Sequence, residues 1–316
     1  MTIKPIPIAF ITDENYLMPT SVSITSLLAT KLRDTVYEIF VIAVDCSETS
    51  KERLRSFQGL QIIDASVYEY RNIHQLGYIS RACLLKFNLC ELISQHKKVL
   101  YLDSDIIVRE DLTDLYNTEL GESYAAAVYA RLEPGDPRRK INGGVLLFNA
   151  EKMRRDNMRE KLAQFRLELG DSPSMDQKTF NLVLGENFVP LSVRYNCMPP
   201  VLSDTLERHG LEYLNRFFQT SYASLEACLA DAAIIHYPAG LKPWKYTHAP
   251  YEEEWMAHYH NSPFGHEPLK RCGQWGQRWQ ILANIYATRG LRAVVIRLLA
   301  FIWHKTIGRK PETVWG

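Results

Sequence analysis

The sequence predicts an α/β fold: a mainly parallel mixed sheet flanked by helices, followed by a helical C-terminal appendage. Three observations predict it. Short β-rich runs alternate with helix-period segments through the first half of the 316 residues. Asp13, Asp45 and Asp103 stand at the carboxyl ends of such runs, where parallel sheets bind ligands. From about residue 265 the composition shifts to tryptophans interleaved with arginine and lysine.

Taken in order, "IPIAFIT" (6–12) is apolar enough for a buried strand. An acidic turn follows it instead of a glycine-rich phosphate loop, which weighs against a dinucleotide dehydrogenase or a P-loop kinase. A helix near 18–31, the strand "EIFVIAV" (38–44), a helix near 48–57 and the strand "LQIIDA" (60–65) continue the βαβ alternation. A helix over about 80–93 leads into "KVLYLD", and "SYAAAVY" (123–129) and "GGVLLFN" (143–149) supply later strands. Rich in proline, glycine and charge, "RLEPGDPRRKI" (131–141) reads as an exposed loop between the two halves of the sheet. Beyond 150 the pattern turns helical, with 151–169 an amphipathic surface helix. The expected division is a catalytic unit over 1–264, its halves meeting near 130, and an appendage over 265–316.

Hydrophobic residues make up 46% and charged residues 23%, the balance of an ordinary globular chain. A net charge of +1 excludes a globally basic nucleic-acid binder. Cys46, Cys83, Cys90, Cys197, Cys228 and Cys272 show no metal-like spacing and read as buried, reduced thiols of a cytoplasmic protein. The N-terminal stretch meets prolines and acidic residues too early for a signal peptide. "AVVIRLLAFIW" (293–303) is well short of the roughly 20 residues that span a bilayer.

The stretch "KKVLYLDSDIIVRE" (97–110) sets two carboxylates among apolar residues, a costly arrangement unless they are paired or bind a metal. At the end of a buried strand, where alternate residues share a face, Asp103 and Asp105 stand on the same side and can approach one hard cation such as Mg2+ or Mn2+; chance occurrence of the tripeptide is the alternative. "IIHYPAGLKPW" (234–244) delivers His236, a metal ligand or a satisfied core histidine, and then Lys242, suited to a phosphate. Asp13 and Asn15 suit hydrogen bonds to a base edge or ribose, a turn or helix N-cap being the alternative for Asp13. Asn142 stands beside Gly143 and Gly144, which permit close backbone approach to a ligand or mark a bulge. Asp176 and Gln177 open a helix, where capping is the plainer reading.

In one order, "TDENY", "LLKFNLCELISQHKKVLYLDSDIIVREDLTDLY", "INGGVLLFN", "MDQKTFN", "RYNCMP" and "HYPAGLKPW" resemble glycosyltransferase family 8, over about residues 6–260. That family contains retaining sugar-nucleotide transferases, among them glycogenin and bacterial lipooligosaccharide galactosyl- and glucosyltransferases. The resemblance implies a GT-A nucleotide-sugar fold, a UDP-sugar donor, a saccharide acceptor, and Mn2+ (Mg2+ as the alternative) held by Asp103, Asp105 and His236. It also implies that Asp13, Asn15 and the Ile11 backbone hold uridine, with Ser104 and Gly143 as further donor-binding positions. Lys242 then contacts the diphosphate, Asn142 and Asp176 the donor sugar, and Gln177 the face of the anomeric carbon opposite the leaving group. Departures occur at Leu84, where the bacterial galactosyltransferases carry a donor-contacting arginine, at Ala130, where they carry an acidic residue, and at Ala239 in place of a turn glycine. Arg81 and Lys86 are the candidates to replace that arginine.

Helical projection of 292–305 gives a broad apolar face edged with basic residues, suited to an anionic membrane surface and a lipid-linked acceptor, or else to packing on its own domain. Competing functions are a non-catalytic nucleotide-sugar-binding scaffold and a glycogenin-like self-glycosylating enzyme.

Overall fold

The computed structural model describes residues 4–73, 80–130, 140–170, 175–238, 240 and 242–273. Residues 131–139 of the loop expected at 131–141, Ala239, and everything from 274 onward, including the helix expected at 292–305, lie outside the described residues, and Ile141 of that loop opens a strand.

Along the chain run β1 (Ile6–Asp13), α1 (Leu17–Ala29), β2 (Tyr37–Val44), α2 (Glu48–Leu54) and β3 (Gln61–Ala65). Next come α3 (Leu89–Leu92), β4 (Val99–Leu102), β5 (Ile106–Val108), α4 (Thr113–Tyr116), β6 (Ala125–Tyr129) and β7 (Ile141–Phe148). The second half adds α5 (Ala150–Arg155), α6 (Met158–Glu168), α7 (Asp176–Val183), β8 (Phe188–Pro190), α8 (Pro199–Phe218), α9 (Leu225–Ala230), β9 (Ile234–His236) and α10 (Glu252–His260). Seven strands form one mixed sheet in the order β3-β2-β1-β4-β7-β6-β8. β1 pairs in parallel with β2 and β4, β2 with β3 and β6 with β8, whereas β7 is antiparallel to both neighbours. Near-continuous apolar runs suit strands covered on both faces. Accordingly Ile8, Phe10, Val41, Val99, Leu100 and Leu146 are buried.

Antiparallel β5 and β9 form a separate two-stranded sheet with Ile106 opposite His236. That register, together with the Tyr237 N–H donating to the Asp105 carbonyl at 2.9 Å, joins the two segments that carry the candidate metal ligands.

Several expectations change in detail. In place of one α-helix over 80–93 there is a 3-10 helix, Arg81–Asn88, capped by the Ser80 hydroxyl, and then the single turn of α3. The helix expected at 151–169 divides into α5 and α6, because Asn157 takes a left-handed φ of 52° that asparagine tolerates. The short strands β5 and β8 carry too few residues to declare a period. All six cysteines are free thiols, but only Cys90, Cys197 and Cys228 are buried; Cys272 is exposed, and Cys46 and Cys83 are half-buried. Residues 265–273 lie against the main body: Arg53 pairs with Glu267 at 2.5 Å, and the Cys272 N–H donates to the Lys245 carbonyl at 2.8 Å. No helix among the described residues is long and apolar enough to cross a membrane.

Candidate active site

A cleft of about 390 Å³ opens beyond the carboxyl ends of β1 and β4 and the start of β7, where sheets of this kind bind ligands. Its walls include Ile11, Asp13, Asp103, Ser104, Asp105, Asn142, Gly143, Asp176, Gln177, His236 and Lys242, nearly every residue singled out from sequence. Asn15 is absent from the wall; its backbone N–H donates to Asp13 Oδ1 at 3.0 Å in the turn after β1.

β4 ends at Leu102, and residues 103–105 bend into β5 rather than continuing as a strand. The expected convergence of the carboxylates is present, but a turn produces it, not strand alternation. Hydroxyls of α1 hold that turn. Thr20 Oγ1 lies 2.8 Å from Ser104 Oγ, and Ser23 Oγ lies 2.9 Å from the Ser104 and Ile106 carbonyls. The Ser104 hydroxyl donates to the Ile11 carbonyl at 3.1 Å, so this serine ties β1 to the turn.

Each carboxylate divides its two oxygens. Asp103 Oδ1 accepts from Tyr101 at 2.6 Å and pairs with Lys86 at 3.0 Å, while Oδ2 faces His236 Nε2 at 3.8 Å. Asp105 Oδ2 pairs with Lys242, while Oδ1 lies 3.3 Å from the same Nε2. Burial pushes the Asp105 carboxyl up, yet Lys242 and His236 outweigh it and hold the group below the ordinary carboxylate range. The three inward-facing ligand atoms lie within 4.8 Å of one another. Two carboxylate oxygens and one imidazole nitrogen, with the outer oxygens already neutralised, fit Mn2+ or Mg2+.

Lys86 is the central buried cation. Its Nζ lies 2.6 Å from Asp176 Oδ2, donates to the Gly143 carbonyl at 3.0 Å and sits 4.7 Å from the Tyr101 ring centroid. Burial pulls its pKa down, but Asp103 and Asp176 together raise it well above the usual lysine value. Asp176 is therefore an ion-pair partner and not the helix cap that its position suggests. With three residues per turn, the 3-10 helix aligns Ser80, Cys83 and Lys86 on the cleft wall.

On the far wall, Gln177 Oε1 accepts from Gly143 N and Asn142 Nδ2, both at 3.2 Å. Asn142 Oδ1 accepts from Gly144 N and from Asn196 Nδ2, both at 2.8 Å. Asn196 Oδ1 lies 2.8 Å from His236 Nδ1. Asn196 lies in "RYNCMP", but nothing in its local pattern assigns it a role. Tyr101 and Thr20 were missed for the same reason, although a Ser/Thr row at 20, 23 and 26 in an apolar helix is a readable signal.

A sequence model described as Glycosyl transferase family 8 matches residues 7–248. The chain belongs to that family. General stress protein A of Bacillus subtilis (strain 168) is 23% identical over 266 residues, covering 78% of this chain and 90% of that protein. Lipopolysaccharide 1,2-glucosyltransferase of Escherichia coli is 26% identical over 288 residues, covering 82% and 79%. The chain spans only 50% of glycosyltransferase GlyE of Streptococcus pneumoniae, with 26% identity over 215 residues. The solved galactosyltransferase LgtC, in complex with donor and acceptor sugar analogs, superposes with a TM-score of 0.70 at 24% identity, covering 81% of this chain and 96% of that one. The GT-A fold expected from sequence is therefore present.

Within this family 8 glycosyltransferase, Leu84 is fully buried in the core and cannot reach the cleft. Arg81 turns away, donating to the Arg71 carbonyl at 2.6 Å. Of the two candidates for the missing arginine, Lys86 alone faces the site. Ala130 follows β6 directly and is half-buried.

Proposed function

We propose that this family 8 enzyme moves a hexose, galactose or glucose, from a UDP-sugar to a saccharide acceptor with retention of configuration, in lipopolysaccharide or lipooligosaccharide synthesis. The convergence of Asp103 Oδ2, Asp105 Oδ1 and His236 Nε2 carries the reading. Likeness to the Escherichia coli lipopolysaccharide glucosyltransferase supports the acceptor class.

A divalent ion, Mn2+ by preference and Mg2+ as the alternative, supplies Lewis-acid stabilisation of the UDP leaving group when held by those three residues. Asp13, Asn15 and the Ile11 backbone bind uridine from the end of β1. Lys242 brings a second positive charge to the diphosphate. Asn142, Gly143 and Asp176 face the donor sugar, with Lys86 orienting Asp176 through their 2.6 Å ion pair. The Gln177 carbonyl oxygen is already occupied by two donors, which makes it a poor nucleophile. Attack therefore comes from the leaving-group face through an oxocarbenium-like state, the departing phosphate oxygen taking the acceptor proton.

The reading includes a catalytic unit over 1–264 and an appendage over 265–316, which contacts the cytoplasmic membrane face and meets a lipid-linked acceptor. Its tryptophan-bearing basic sequence supports this. Flotation with anionic liposomes, comparing the full chain with a variant carrying Glu at Arg292, Arg297 and Lys305, tests it.

The deciding experiment is hydrolysis of a panel of UDP-sugars with and without Mn2+, using the intact chain and Asp105→Asn. Metal-dependent UDP release from one sugar, lost in the variant, is expected. Binding of UDP without hydrolysis of any sugar, even with saccharide acceptors added, would favour the scaffold reading.

A further inference from the structure

We propose that Asn196 is a positioning residue that sets the proton of His236 and couples the metal-ligand side of the cleft to the Gln177 side. The inference rests on the metal site proposed above and assigns a role to a residue outside it.

Two backbone N–H groups, which can only donate, orient the whole side-chain chain. Gly143 N meets Gln177 at 3.2 Å, so the atom facing it is the amide oxygen. Gly144 N meets Asn142 at 2.8 Å, so that atom is likewise the oxygen. The Asn142 oxygen must then face a donor on Asn196, its NH2 group, at 2.8 Å. Only the Asn196 oxygen remains for His236 Nδ1, also at 2.8 Å. An oxygen there requires Nδ1 to carry hydrogen, which leaves Nε2, the nitrogen facing Asp103 and Asp105, as the one whose lone pair is offered to a metal.

Asn196 is fully buried, so no water competes for either end of its side chain. Its location in the one-turn 3-10 helix Val193–Asn196 is secured by β9 and by Ala233 just before that strand. The Ala233 N–H donates to the Arg194 carbonyl at 2.8 Å, and the His236 N–H donates to the Cys197 carbonyl at 2.8 Å. Hydrogen bonds from outer residues to a ligating histidine fix both its ring orientation and its tautomer, and their loss weakens metal binding roughly 10- to 100-fold. Here the amide has a second task. Its NH2 end holds Asn142, which in turn donates to Gln177 at 3.2 Å.

The two tasks separate in two variants. Asn196→Leu abolishes both, and Asn196→Asp keeps an oxygen for His236 but offers no donor to Asn142. Side-chain 15N NMR of the metal-free protein reads the His236 tautomer, EPR titration reads Mn2+ affinity, and UDP-sugar hydrolysis reads kcat. In the wild type an Nδ1-protonated ring is expected. Asn196→Leu should lose that tautomer and bind Mn2+ about 10- to 100-fold more weakly. Asn196→Asp should retain the tautomer and bind Mn2+ within about threefold of wild type, yet lose kcat by about tenfold or more, the order of effect expected when an outer-shell partner is removed.

A wild-type ring that carries no hydrogen on Nδ1, or an Asn196→Leu protein that is folded and binds Mn2+ normally, would overturn the proposal. If Asn196→Leu does not fold, Asn196→Asp decides alone, and unchanged kcat in that variant also overturns it. A wild-type protein that binds no Mn2+ would instead remove the proposed metal site, and this inference with it.

Discussion

Gly144 lies so close beneath His236 that a methyl group on its α-carbon would stand 2.4 Å from the imidazole Cε1 and 2.8 Å from Nδ1. The glycine also supplies the carbonyl that accepts from the Asp103 N–H at 2.8 Å. One backbone position therefore serves both sides of the ligand cluster. Gly144→Ala should displace the His236 ring, with overpacking strain of about 1–3 kcal/mol and a tenfold or greater loss of Mn2+ affinity. Calorimetric titration of Mn2+ checks this, and normal affinity would show that the ring has room to move.

Lys86 holds Asp103 and Asp176 together across the cleft floor. Lys86→Met keeps the side-chain length but leaves two carboxylates without their shared cation. Breaking a buried ion pair by removing one partner costs about 3–5 kcal/mol. Urea unfolding at pH 7 should show that loss.

Leu84→Arg restores the residue type that the galactosyltransferase pattern carries at this position, but it should not restore a donor contact. Leu84 is enclosed by the core, and a guanidinium there would be a buried charge without a designed partner. The expected result is destabilisation by several kcal/mol with no gain in UDP-sugar turnover. An active, stable Leu84→Arg protein would mean that the 3-10 helix can turn this position toward the cleft.

Asp111 predicts an acid-limb effect away from the site. Burial pushes its carboxyl up, but hydrogen bonds from Thr113, the Leu32 N–H and Thr35 prevail and hold it at about 2. The Leu32 and Thr113 N–H groups donate to its two oxygens, both at 2.9 Å. Because the folded pKa lies below the unfolded value near 3.9, the stabilisation is complete above about pH 4 and disappears as pH falls through about 2. Thermal melts from pH 2 to 6 should therefore show Asp111→Asn less stable than wild type at pH 6, the gap closing toward pH 2.

Much of the site was legible because its residues travel in short blocks. The carboxylates follow an apolar strand, the histidine ends another, and the glycine pair opens a third. Local apolar runs and turn residues respond to burial and backbone preference within a few residues, and those determine the strands, most helices and the candidate ligands. The family resemblance used the same local blocks in order.

Tertiary structure alone decided how the blocks meet. Placing Ile106 opposite His236 in the β5–β9 pair, fixing the 103–105 turn with hydroxyls of α1, and burying Leu84 while Lys86 faces the cleft all depend on contacts between distant segments. Asn196 acquires its role in the same way: each end of its amide meets a residue from a different strand. A sequence pattern records which residues prefer to be buried or extended. Which buried polar groups satisfy one another is settled only when the folded chain brings their hydrogen-bonding atoms within reach.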